Sequence, residues 1–238
     1  MKYLEQANDH FPHHSPLTHS DFGYTNPMFL APIVDPRLKL PPCLDQNKLG
    51  LNSILCALVH AIDTKVDVNE INTMKDGINF FKLHHQNIHF FHIYPDIHSI
   101  KASISKGFPV ALTISVYESF ESDLVTTTGV LCMPSEDEKC IGNHAILICG
   151  YSETYKSWIV RNSFGPNWGQ NGYFTMPYEY SKFFTSNLWI IVSEQNISKL
   201  PIEKCVKMLC DKNNSFSINN DSENKDLNTK KILGLKTK

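Results

Sequence analysis

The chain has 238 residues, of which 42% are hydrophobic and 19% charged, with a formal net charge of −2. That is apolar material enough for one globular domain or two small lobes, and it excludes a collagen-like or wholly disordered chain. The near-neutral balance gives no electrostatic reason to expect nucleic acid or an anionic membrane surface as partner, and no run approaches the roughly 18 apolar residues of a membrane helix. The seven cysteines, Cys43, Cys56, Cys132, Cys140, Cys149, Cys205 and Cys210, are odd in number and lack the paired C-x2-C spacing of zinc sites. The first residues, MKYLEQANDHFPHHSPL, hold no apolar stretch of signal-peptide length. Together these features lead us to expect reduced thiols and a cytoplasmic protein.

Residues 1–44 are rich in Pro and His. Pro27, Pro32, Pro36, Pro41 and Pro42 make this an extended strap rather than a helix. Over 51–62 the pattern changes: Leu51, Ile54, Leu55, Leu58, Val59 and Ile62 recur at helical spacing and mark one apolar face. A second helix is predicted around 70–83 through Ile71, Met74, Ile78 and Phe81. A third is predicted near 97–106, with Asp96 as N-cap and Gly107 as stop.

The period then shortens. In 109–117, Val110, Leu112, Ile114 and Val116 alternate with Ala111, Thr113, Ser115 and Tyr117, which is a strand. Residues 145–151 form a short apolar run of buried-strand type. Further strands are predicted at 158–163, 172–177 and 187–193, parted by Gly- and Asn-rich turns. Helices first and antiparallel strands after give an α+β fold of two lobes, a helical lobe over 45–106 and a β-barrel-like lobe over 107–195. The remainder, 196–238, reads as a short helix and a polar tail.

Three segments carry candidate chemistry. Asp45-Gln46-Asn47-Lys48-Leu49-Gly50-Leu51-Asn52 runs into the first helix, Gly142-Asn143-His144-Ala145 opens a strand, and Arg161-Asn162-Ser163-Phe164-Gly165-Pro166-Asn167-Trp168-Gly169 follows another. Each is weak alone. In that order they resemble the papain-like cysteine peptidases, and most of all a bacterial and large-virus branch. That branch reads roughly DQG-x-LGSC at the helix, GGHA at the histidine and RNSWG-x-x-WG-x-x-GYF at the asparagine. The resemblance covers about 35–193 and is strongest over 107–193. DPRLKLPP at 35–42 also resembles the lead-in of that branch. The bias of 20 lysines against 2 arginines is like that of AT-rich genomes, which many large DNA viruses and some parasites carry.

The resemblance implies roles. In such a site a cysteine at a helix N-terminus is kept as thiolate by the macrodipole and a neighbouring imidazolium. A histidine exchanges the proton, an asparagine fixes its tautomer, and a glutamine amide holds the developing oxyanion. Carried onto this chain, Gln46 is the oxyanion donor, His144 the acid and base, and Asn162 the orienting residue, with Trp168 in the aromatic wall. The nucleophile does not carry over, because its position is Asn52. A carboxamide has no removable proton near neutral pH, and losing a triad nucleophile costs on the order of 10⁶ in rate. Leu51 and Ser53 flank it, Asn47 stands for the glycine after the glutamine, Leu49 for a cysteine of many secreted relatives, and Phe164 for the tryptophan of NSWG.

No other residue is a good substitute. Cys56 is displaced about 6 Å along the helix and rotated about 40°, into the helix body, where a small buried apolar role suits it better. Ser53 is rotated about 100° and should point elsewhere. Cys43 lies in the strap. Asn52 itself suits a helix cap. His84, His85, His89 and His92 invite a metal reading, but His85, His89 and His92 share a face only in a helix, and 89–95 reads as strand or loop. We therefore expect no metal and no cofactor. The expected protein is a catalytically silent, monomeric homologue that holds a peptide or protein partner in the cleft between the lobes, with an active peptidase and a structural virion component as alternatives. Lacking a thiolate partner, His144 should titrate near 6.5.

Overall fold

A computed structural model of the chain describes residues 15–24, 30–49, 53, 56–58, 78, 88–193 and 196. The chain divides into two units, Met1–Ser193 and Glu194–Lys238, and of the second only Asn196 is among the described residues. Asn52, most of the helix predicted at 70–83, His84, His85, Cys205 and Cys210 lie outside them. Ser53, residues 56–58 and Ile78 are helical.

The first unit is organised by one antiparallel sheet. Its strands are β1 (Ile33–Val34), β2 (Ile88–Ile93), β3 (Val110–Tyr117), β4 (Cys140–Ser152), β5 (Ser157–Arg161), β6 (Tyr173–Pro177) and β7 (Leu188–Ser193). They lie in the order β2-β7-β3-β4-β5-β6, with β1 paired to β4. Three helices are described beside it: α1 (Gln46–Leu49), α2 (Ile97–Ser105) and α3 (Asp123–Thr128). The α+β class is as expected. No helix among the described residues is long and apolar enough to cross a membrane.

Several elements follow directly from local sequence. Val110–Tyr117 alternates buried and half-buried residues as its pattern requires. Asp96 caps α2 by accepting from the backbone N–H of His98 and Ser99, and Gly107 takes φ +85 just past its end. Residues 88–93, inside the stretch 45–106 given to the helical lobe, form an edge strand, in keeping with the strand-or-loop reading of 89–95; its Phe91 pairs with Ile190 and Ile93 with Leu188. The apolar Phe90, Phe91 and Ile93 are buried there. On a strand, His89 and His92 point to opposite faces, so the shared helical face of the metal reading does not exist. His92 instead packs against Trp189 across the strand pair, ring centroids 3.5 Å apart and planes inclined at 58°. Among the described residues no group of three or more His, Cys, Asp and Glu is placed to hold a metal.

The described parts of the N-terminal segment combine extended stretches with two 3₁₀ turns, His19–Phe22 and Arg37–Lys39, and meet the sheet at several points. Leu17 bridges to Ile93, Ile33 and Val34 pair with Ser152 and Tyr151, and Asp45 bridges to Phe164. Lys101 of α2, itself buried, pairs with Glu153 at 2.6 Å and ties helix to sheet. Trp158, Tyr151, Tyr180 and Phe174 fill the core between these elements.

Candidate active site

The site lies where two strands part. β4 and β5 pair from Ser152 with Ser157 up to Leu147 with Arg161. Continued, that register would set Phe164 opposite His144 and Asn162 diagonally across from it, on the same face. The ladder stops instead, and the freed backbone groups are taken up by helical elements. Ala145 N–H donates to the Ser53 hydroxyl at 3.2 Å, and the Ser163 carbonyl accepts from Gln46 N–H at 2.8 Å. Buried backbone groups need such partners, so the fork draws the start of α1 and the helix bearing Ser53 onto the residues beside His144.

His144 marks the point where β4 enters the core. Cys140 to Asn143 are exposed, and from His144 onward the strand is buried. Its Nε2 lies 2.8 Å from Asn162 Oδ1. The same Oδ1 accepts from Ser163 N–H at 2.8 Å, which fixes which amide atom is oxygen. An amide oxygen only accepts, so the neutral ring carries its proton on Nε2 and its lone pair on Nδ1. Asn162 Nδ2 is buried with no hydrogen-bond partner, a cost that this orientation tolerates.

Aromatic rings enclose the imidazole. Phe164 lies 4.9 Å and Phe120 5.9 Å from it, centroid to centroid. Trp168 packs on both phenyl rings, 5.6 Å from each. Burial in this wall pushes the His144 pKa below its ordinary value, against the upward pull of the Asn162 bond. The expectation of a value near 6.5 is corrected on this point, because it left out desolvation.

Gln46 opens α1, and its Oε1 accepts from the Ser163 hydroxyl at 2.6 Å. With its oxygen engaged, the amide presents its NH₂ group away from Ser163. Gln46, His144 and Asn162 are thus joined through Ser163, whose N–H, carbonyl and hydroxyl are all used. Nothing in the sequence marked Ser163 beyond its place after Asn162, and nothing marked Phe120. Ser53 is directed at the β4 backbone rather than at the imidazole. Cys56 is fully buried, and desolvation, helped by Asp45, pushes its thiol up to about 12.

Comparison with known proteins bears on the family and the fold. The model of the papain family of cysteine proteases matches residues 68–188, half of the chain; Gln46 and Asn52 precede that match. An uncharacterized peptidase C1-like protein of Acanthamoeba polyphaga mimivirus is 45% identical over 97 residues, 40% of this chain and 31% of that protein. A cathepsin B-like cysteine proteinase of Caenorhabditis elegans is 31% identical over 114 residues, 47% of this chain and 32% of that protein. The matches therefore span about a third of these relatives' own length. Among solved structures, xylellain, a cysteine protease from Xylella fastidiosa, superposes with a TM-score of 0.54 at 22% identity over 76% of this chain and 95% of its own. That likeness shows the papain-like fold.

Proposed function

The chain belongs to the papain family of cysteine proteases, and on that footing we propose that it is a peptide- or protein-binding homologue that does not cleave. What carries this reading is the run Asp45-Gln46-Asn47-Lys48-Leu49-Gly50-Leu51-Asn52, whose resemblance to DQG-x-LGSC sets Asn52 where the family keeps its cysteine. In the same reading, Gln46 would serve as oxyanion-side donor, His144 as the ring lining the cleft and Asn162 as the residue that orients it. What supports these roles is the joint hydrogen bonding of the three through Ser163. A neutral His144 with its lone pair on Nδ1 offers an acceptor to a ligand N–H or O–H, beside the half-exposed rings of Phe164 and Trp168.

Against the rival reading, an active peptidase working through Cys56, weighs the burial of that thiol. A buried thiol held near 12 supplies almost no thiolate at neutral pH. We further propose that the protein acts as a monomer in the cytoplasm, of a host cell or within a virion if its source is viral.

The test uses the wild-type protein and a panel of fluorophore-labelled peptides. We expect saturable anisotropy changes for some sequences and no hydrolysis of the matching fluorogenic peptides. Turnover abolished by Cys56→Ala would overturn the silent reading; a panel that neither binds nor is cut would overturn the binding reading.

A further inference from the structure

Arg161, the last residue of β5, is 2% exposed. Its side chain leaves the strand on the face opposite Asn162, as strand alternation requires. Nη2 donates to the carbonyls of Pro41 at 2.6 Å and Pro42 at 3.0 Å. The guanidinium lies 6.0 Å from the centroid of the Tyr173 ring, and Nε is buried with no hydrogen-bond partner. None of the ion pairs among the described residues includes it. A buried cation without a carboxylate is costly, and here the carbonyls of Pro41 and Pro42, the Cys43 thiol and the face of Tyr173 help offset the cost.

The residues that follow in the strap are fastened to the same place. Cys43 packs so closely on Gly172 that a Cβ there would fall 2.4 Å from the Cys43 Cβ. Leu44 O accepts from Gly165 N–H at 2.9 Å, and Gln46 N–H reaches Ser163 O at 2.8 Å. Residues 41–46 thus grip one side of the strand end whose other side presents Asn162 to His144. The strap cannot lift from Pro41 and Pro42 without stranding the guanidinium.

We propose that Arg161 is a positioning residue: by fastening the strap carbonyls to the end of β5 it fixes Asn162, and through Asn162 the proton on Nε2 of His144. The strap is then part of the site's alignment and not a removable leader. This holds whether or not the cleft cleaves peptides, so it stands apart from the function proposed above.

The experiment reads the tautomer of His144 by ¹⁵N NMR of its ring in the full chain, the signal being assigned by its loss in His144→Gln. Arg161→Met keeps an unbranched apolar stem and removes the charge; Arg161→Lys keeps the charge and removes the fork. In the wild type the Nε2-protonated form should dominate. In Arg161→Met its ratio to the Nδ1 form should fall about fivefold, the worth of one neutral hydrogen bond. Arg161→Lys, able to reach one carbonyl, should show a smaller but measurable fall. A folded Arg161→Met with the wild-type ratio overturns the proposal. If Arg161→Met does not fold, a wild-type ratio in Arg161→Lys overturns it instead.

Discussion

The phenyl ring of Phe164 lies 4.9 Å from the imidazole of His144 at an interplanar angle of 34°, the two residues having been brought face to face where β4 and β5 separate. The ring of Phe164 is part of the wall that buries His144, and burial holds its pKa below the ordinary value. Phe164→Ala admits water to the ring and should move its titration up toward 6.5, as read by NMR. The linkage follows. Between the depressed folded value and 6.5 the unfolded chain binds more protons at this residue, so stability falls as pH drops through that window and is level on either side. Phe164→Ala should flatten that part of the curve in urea titrations. An unmoved titration would show that burial by Phe164 is not the cause.

Cys56 gives a reactivity prediction. Its thiol is fully buried and pushed up to about 12, whereas Cys132 and Cys140 are exposed. In the folded protein at pH 7.5, N-ethylmaleimide should modify Cys132 and Cys140 and leave Cys56 untouched until urea is added. Peptide mass mapping checks this; early labelling of Cys56 would reopen the question of a thiol at the site.

Glu153 gives an acid-stability prediction. It accepts from Lys101 at 2.6 Å, Lys156 at 2.8 Å and Tyr178 at 2.9 Å, and its pKa lies near 2, its donors outweighing desolvation. A carboxylate depressed on folding contributes stability that is complete above its unfolded value near 4.5 and is lost as pH falls toward 2. Glu153→Gln should cost about 1–2 kcal/mol at pH 7, measured by urea unfolding. The variant should also lose less stability than the wild type between pH 5 and 3; equal slopes would contradict the assignment.

Two glycines permit the strap to seat. At Gly172 φ is +87 and a Cβ would meet the Cys43 side chain; at Gly150 a Cβ would fall 2.4 Å from the carbonyl oxygen of Val34. Gly172→Ala combines a strained backbone with a clash and should cost about 3 kcal/mol. Gly150→Ala, which would press on Val34, Pro36 and Ile159, should raise proteolysis in the 31–40 segment. Thermal melts and limited trypsin digestion read the two effects, and wild-type behaviour of both would mean the strap is loosely held.

Much of the sheet was legible because its strands alternate locally, as Val110 to Tyr117 do. β4 proved longer than the apolar run at 145–151, since Cys140 to Asn143 are exposed and carry no apolar signal. Asp123–Thr128 is one short polar helix with little periodicity to betray it. The place of β2 depends on pairing with β7, about a hundred residues later, which no local pattern encodes. Motif order singled out Gln46, His144 and Asn162. Their union through Ser163, the aromatic cover from Phe120 and the grip of Pro41 and Pro42 on Arg161 arise from tertiary contacts and left no trace in spacing.

The central claim is that the surroundings of a papain-like site are kept while its nucleophile is not, and Asn52→Cys tests it most directly. The wild type and the variant are exposed to a thiol-directed epoxide, and the modified residue is located by mass spectrometry. We expect no stoichiometric labelling of the folded wild type at the site and one-to-one labelling of the introduced thiol, abolished by adding His144→Ala. An unreactive thiol at position 52 with His144 intact, or a wild-type cysteine that takes up the epoxide stoichiometrically and is required for peptide cleavage, would contradict the account.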